Sequence, residues 1–199
     1  MHGRRYLGAV IFFVATFVVA IVVVVTTKGS FGRLAAVHYQ YLWLLFLGLA
    51  IQIVLEFVTF PKDRIDDAGF ALLVLSYVAI VWFCVLNRKV KGMLLITAGI
   101  ALNVLVIVSN QGMPTKDDVH DRNGREVHVP IEHTVKHRPL EDDTVFQFLG
   151  DVITLPGFPN QQFSIGDIVI ALGIVDLCFE GSRVPRRRGV ARPVEAQKG

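Results

Sequence analysis

Five long apolar runs divide the chain: Tyr6–Thr26, Tyr41–Phe60, Gly69–Asn87, Gly92–Ser109 and Phe163–Gly181, each 18 to 21 residues long. A helix needs about 20 apolar residues to cross a hydrocarbon core of about 30 Å, so each run predicts a membrane-spanning helix. Glycine, proline and charge clusters punctuate the gaps between them. The first run follows HGRR and exceeds the h-region of a secretory signal, about 7–15 residues, and no A-x-A site follows it. It therefore reads as a retained helix. The predicted fold is an all-α bundle of five transmembrane helices. Residues 1–109 form a four-helix region, 110–162 a loop with a membrane-surface segment, 163–182 the fifth helix and 183–199 a basic tail.

Composition supports this pattern: 53% of the 199 residues are hydrophobic and 19% charged, with a mean hydropathy of +0.53, above what a soluble core needs. Positive charge sets the orientation, because basic residues collect in short cytoplasmic segments. With the N-terminus outside, eleven fall inside (Lys28, Arg33, Arg88, Lys89, Lys91, Arg183, Arg186, Arg187, Arg188, Arg192, Lys198) and, leaving the long loop aside, four fall outside (Arg4, Arg5, Lys62, Arg64). The expected topology is N-out and C-in. A sequence pI near 9.0 then needs no nucleic acid to explain it, and RRRGVARP serves as an orientation signal that can touch anionic lipid. The two cysteines, Cys84 and Cys178, lie inside predicted spans and read as small apolar filler.

This topology puts Asn110–Gln162 outside. His120, His128, His133 and His137 are irregularly spaced among solvated charges, so no metal or other cofactor is implied. REVHVPIEHTV alternates enough for a short strand or hairpin. TVFQFLGDVITLPGF is apolar and aromatic, suited to lie on the membrane surface or fold back over the helices.

Polar side chains inside spans are costly and face a protein interior or a wet cavity. With the N-terminus outside, Gln52 and Glu56, one turn apart, sit toward the outer end of the second span. Asn103 lies in the fourth span, with Asn110 at its exit, and Ser164 and Asp167 open the fifth. All share one depth near the outer surface, under the segment carrying Asp151. Two readings stay open for them. Ser164-Ile165-Gly166-Asp167 has the spacing of a helix capping box, and Gln52 and Asn103 can hydrogen-bond neighbouring helices. Alternatively, these side chains line an outward-facing polar pocket around Asp167. Asp176 lies deeper, near Glu180 and Arg183, where an ion pair is expected. Gly166 and Gly173 are seven apart on nearly one face, which lets another helix approach closely.

Two resemblances follow. ALNVLVIVSNQGMP, FLGDVITLP and FSIGDIVIALG resemble a bacterial family of polytopic membrane proteins of unknown function, which implies a multi-pass protein of the bacterial plasma membrane. Over about 148–180, Gly150-Asp151-Val152-Ile153 and Phe163-Ser164-Ile165-Gly166-Asp167-Ile168 resemble the V-D-x-I and F-N-x-A-D-x-x-I stretches of lipoprotein signal peptidase, an intramembrane aspartyl protease. That resemblance implies that Asp167 is one catalytic aspartate, with Asp142, Asp143 or Asp151 as the second. Two close carboxyls would share a proton, one as general acid and the other as base, while Asn103 and Gln52 hold substrate or orient the carboxyls. Ser164 and Gly166 replace motif residues, and G-N-x-x-D-R is absent. The function expected first is a scaffold or partner-binding subunit. The alternative is an aspartyl hydrolase cleaving a lipid-linked peptide at the outer surface, and a small carrier is third. Expected partners are the lipid bilayer and a membrane protein or lipidated peptide.

Overall fold

The computed structural model describes residues 3–57, 68–120, 126–128, 134–155 and 158–183. They are mostly helical: α1 (Gly3–Thr26), α2 (Phe31–Ala35), α3 (Leu42–Phe57), α4 (Phe70–Leu86), α5 (Met93–Asn110) and α6 (Ile165–Gly181). Five of these coincide with the predicted runs, and α2 is an extra short helix capped by the Ser30 hydroxyl, which accepts from the Arg33 N–H at 3.3 Å. α5 is the one described helix of 18 residues or more apolar enough to cross a membrane, while the apolar helical stretches 14–26, 42–55 and 70–86 are shorter.

The helices pack in the order α3, α4, α5, α6, α1. The first four run alternately up and down, whereas α1 runs parallel to α6. The Phe12 ring lies 4.4 Å from that of Phe163 just before α6 begins, and past the other end the Ser30 N–H donates to the Ser182 carbonyl. At that same end Asn87 binds the main chain of Gln40 in both directions, at 2.8 and 2.9 Å, pinning the approach to α3 against the end of α4. One consequence is that Lys28, Arg33, Arg88, Lys89, Lys91 and Arg183 all belong to segments at this end.

Glycine explains the tightest contact. Gly99 of α5 faces Gly166 of α6, and Gly92 faces Gly173 one heptad along. A methyl group built at Gly99 would stand 2.5 Å from the Gly166 carbonyl oxygen, and one at Gly173 2.7 Å from the Ile96 nitrogen. Gly92, at φ +79°, also occupies the left-handed region that side chains disfavour. The seven-residue spacing of Gly166 and Gly173 thus does what was expected of it.

The all-α expectation needs one correction, because the segment between α5 and α6 forms small sheets. β1 (Met113–Thr115) pairs in parallel with β4 (His137–Pro139), and β2 (Asp118–His120) pairs antiparallel with β3 (Glu126–His128). β5 (Ile153–Leu155) pairs antiparallel with β6 (Phe158–Phe163), and a bridge joins Thr115 to Asp151. β3 falls inside REVHVPIEHTV, where a short strand or hairpin was expected; the other strands of about three residues carry too little periodicity to be read from sequence. The layer folds back over the helix ends: Met113, Val135 and Leu149 are buried with Leu55 of α3, Leu73 of α4, and Val106 and Ile107 of α5.

Candidate functional site

The centre of the loop-side end is the start of α6. The Ser164 hydroxyl accepts from the Asp167 N–H at 3.0 Å, and Asp167 Oδ2 accepts from the Ser164 N–H at 3.0 Å. This is the predicted capping box, and it satisfies two N–H groups that the helix start would leave open. Asn103 of α5 extends it. Its Nδ2 donates to Asp167 Oδ1 at 2.9 Å, and its Oδ1 accepts from the Ser164 hydroxyl at 2.9 Å. The close approach at Gly166 lets Asn103 reach both partners, since a side chain there would collide with the Asn103 amide. Ser164 is fully buried and Asn103 is 7% exposed. Both oxygens of Asp167 are thus engaged inside the protein.

Asp151 approaches from the loop layer. Its N–H donates to the Pro114 carbonyl at 2.8 Å, and its Oδ2 lies 3.7 Å from His137 Nδ1. The Thr115 hydroxyl lies 3.4 Å from the same His137 nitrogen. Burial pushes the Asp151 carboxyl well above the usual carboxylate range, and the negative charge of Asp167 raises it further. Burial outweighs the nearby imidazole because the Asp151 side chain keeps only 13% of its surface in contact with solvent. Tyr77 of α4 lies within electrostatic reach of both carboxyls.

This arrangement gives a pH dependence with a definite sign. The folded state holds the Asp151 proton more tightly than the unfolded chain does. Stability should therefore fall as pH rises from the unfolded value, about 4, toward the raised folded value. His137 lies 3.7 Å from the group, Asp167 and Tyr77 lie within electrostatic reach, and all three modulate the midpoint. Thermal unfolding in detergent micelles across that window should show the decline, and Asp151→Asn should flatten it. An unchanged slope in the variant would assign the effect to another group.

The other predicted residues are dispersed. Gln52 donates to the Ser76 hydroxyl of α4 at 3.3 Å and stays away from Asp167, because α4 and α5 stand between α3 and α6. Asn110 binds the main chain of Val145, donating at 2.9 Å and accepting at 2.8 Å. Asp142 is exposed, and its main-chain carbonyl accepts from Gln147, whereas Asp151 is buried and within electrostatic reach of Asp167. The side chain of Glu56, and His133, fall outside the described residues. The ion pair expected for Asp176 is corrected: Arg183 donates to the Thr27 carbonyl at 3.4 Å and stacks 3.8 Å over the Phe179 ring. Among the described residues no histidine, cysteine and carboxylate group is arranged to hold a metal. Sequence reading missed Tyr77 and His137 as neighbours of the carboxyls. A tyrosine in an apolar run gives no sign of which side it faces, and His137 was one of four loop histidines.

A separate cavity of about 320 Å³ lies at the exit of α5, lined among others by Ser109, Asn110, Arg138, Glu141, Asp143 and Thr144. Arg138 is held there by the Gln111 carbonyl at 2.7 Å.

Fold and site together define a helical bundle whose loop-side end is sealed by a small β layer and a buried carboxyl-amide centre. The family of unknown function DUF5317 matches residues 36–179, and the chain belongs to it. No curated protein and no solved structure matches the chain.

Proposed function

We propose that this is a multi-pass protein of the bacterial plasma membrane, N-terminus and β layer outside and basic tail inside, acting as a scaffold or partner-binding subunit. Its apolar surface supports the membrane assignment. Phe46, Leu75, Val78, Trp82, Leu94 and Leu172 are each 55–66% exposed, and only 33% of the α5 span is buried within the bundle. In a soluble protein the longest apolar helix would be mostly covered, and apolar surface of this extent marks a lipid contact. The six basic residues gathered at the end opposite the β layer support the orientation.

The observation that carries the scaffold reading is the full engagement of Asp167. A carboxylate with both oxygens spent on Asn103 and the Ser164 N–H is a clamp that fixes α6 to α5 and steadies the layer above. Cross-linking in native membranes tests this. Charge reversal at exposed Lys116 and Glu141 should remove a cross-linked partner, whereas Asp167→Asn should cost no more than a cap, about 0.5–2 kcal/mol, and leave the cross-link. Loss of function in a well-folded Asp167→Asn protein, with the surface variants unaffected, would reject the scaffold.

One observation favours the hydrolase as a second reading. Asp151 is buried, with its carboxyl pushed above the usual range, and Asp167 lies within electrostatic reach of it, so the two offer the pair of carboxyls that an aspartyl hydrolase uses as general acid and base. A lipid-linked peptide offered to the chain in liposomes at about pH 5–8 should then be cut by the wild type and by neither Asp151→Asn nor Asp167→Asn. An intact peptide throughout that range would remove this reading.

A further inference from the structure

We infer that the turn 145–148 is an interfacial anchor, in which Val145, Phe146 and Phe148 enter the boundary between head groups and acyl chains of the outer leaflet. This rests on the membrane reading above.

Three large apolar side chains within four residues face outward, at 45%, 40% and 64% exposure, while Leu149, next in sequence, is buried in the core at 8%. The 3-10 turn Gln147–Leu149 separates them, sending Leu149 inward and leaving the aromatic rings outside. Phe146 has φ 57°, a rare backbone conformation for a bulky residue, so its outward position is held against a local preference.

The height of the turn is fixed by α5. Asn110, the last residue of that helix, bonds the Val145 N–H and carbonyl, and also reaches back to the Val106 carbonyl at 2.9 Å. The turn is therefore fastened where a membrane-length helix ends. Leu105 and Val108, just below on α5, are 45% and 50% exposed, so α5 and the turn both present apolar surface around this exit. Beside it, the polar cavity with Arg138, Glu141 and Asp143 suits the hydrated head-group level. Apolar side chains next to polar ones at one depth characterise groups that lie in a membrane interface. Because Glu141, Asp142 and Asp143 flank the turn, insertion is apolar rather than charge-driven. Zwitterionic lipid should suffice, with no gain from anionic lipid.

The test uses the full chain with Cys84 and Cys178 replaced by alanine, reconstituted in phosphatidylcholine vesicles, with a nitroxide label on Phe148→Cys, Val78→Cys or Glu141→Cys. Val78, in the middle of α4, is 55% exposed and reports the hydrocarbon; Glu141 reports water. The expected result is that the label at 148 resembles Val78, colliding with oxygen more than with a soluble nickel chelate, and that added phosphatidylglycerol changes nothing. A label at 148 that resembles Glu141, with Val78 still lipid-exposed, overturns the anchor and leaves the membrane reading standing. Nickel access at Val78 rejects the membrane reading and the anchor with it. A label at 148 shielded from both reagents means that protein covers the turn, and also overturns the anchor. Should the cysteine-free chain not fold, Phe148→Trp in the native chain, quenched by lipids brominated high on the acyl chain against the Trp43 and Trp82 background, reads the same depth.

Discussion

Leucine in place of Gly99 should separate α5 from α6 and leave little folded protein in detergent micelles. The added Cβ alone would stand 2.5 Å from the Gly166 carbonyl oxygen and 2.8 Å from the Ile170 nitrogen. Both are backbone atoms, so no side chain can swing aside. Overpacking a core usually costs about 1–3 kcal/mol, and here the helices themselves must move, which puts the loss at or above about 3 kcal/mol. The damage should extend to the loop side, because Asn103 reaches Ser164 and Asp167 only at this spacing. Gly32→Ala is the control: its Cβ would meet only the Ser30 hydroxyl, at 3.7 Å, and should be nearly silent. Gly99→Leu unfolding at the wild-type temperature would show that the two helices do not depend on this approach.

Asn103→Ala should come next in severity. It removes the donor to Asp167 Oδ1 and the acceptor for the fully buried Ser164 hydroxyl. A buried polar group left without its partner costs about 1–3 kcal/mol, so two of them predict a loss of about 2–6 kcal/mol. Gln52→Ala breaks one longer contact, to Ser76 at 3.3 Å, and should cost about 0.5–1.5 kcal/mol. Thermal melts of the two variants in the same micelles compare them directly. Equal losses would mean that the Asn103 centre is no more than another helix-helix hydrogen bond.

The helices were legible in the sequence because each apolar run ends at glycine, proline or charge. The start of α6 was legible to the residue, since the Ser164–Asp167 spacing allows a capping box and few other local arrangements. The glycine contact was legible on one side only: Gly166 and Gly173 announced a close neighbour without naming Gly92 and Gly99. Depth was the weaker guide. It assigned Gln52, Asn103, Asn110 and Asp167 a common height near the outer surface, but height says nothing of azimuth or of helix order. Only the order α3, α4, α5, α6 explains why Asn103 meets Asp167 while Gln52 meets Ser76. Asp151 was offered as a partner for Asp167 only as one of three, with Asp142 and Asp143, and the approach of His137 and Tyr77 was not legible, because strand pairings of about three residues are set by tertiary packing. Asp176 was given an ion pair on proximity along α6, and the Arg183 side chain turned instead to Phe179 and Thr27.

The position of α1 bears on how the protein is made. α1 is synthesised before α6, yet its packing surface lies on α6, and the Ser30 N–H finds its acceptor on the Ser182 carbonyl. A contact between the two ends of the sequence forms late, after the chain between them has been synthesised. Until α6 is made, α1 waits without that packing partner, and its Val14, Phe17, Val18, Ile21 and Val25 are still 51–58% exposed after assembly. Chains interrupted before α6 would retain α3, α4 and α5 as neighbours and leave α1 unmoored, giving a quality-control system a defined feature by which to recognise an unfinished molecule.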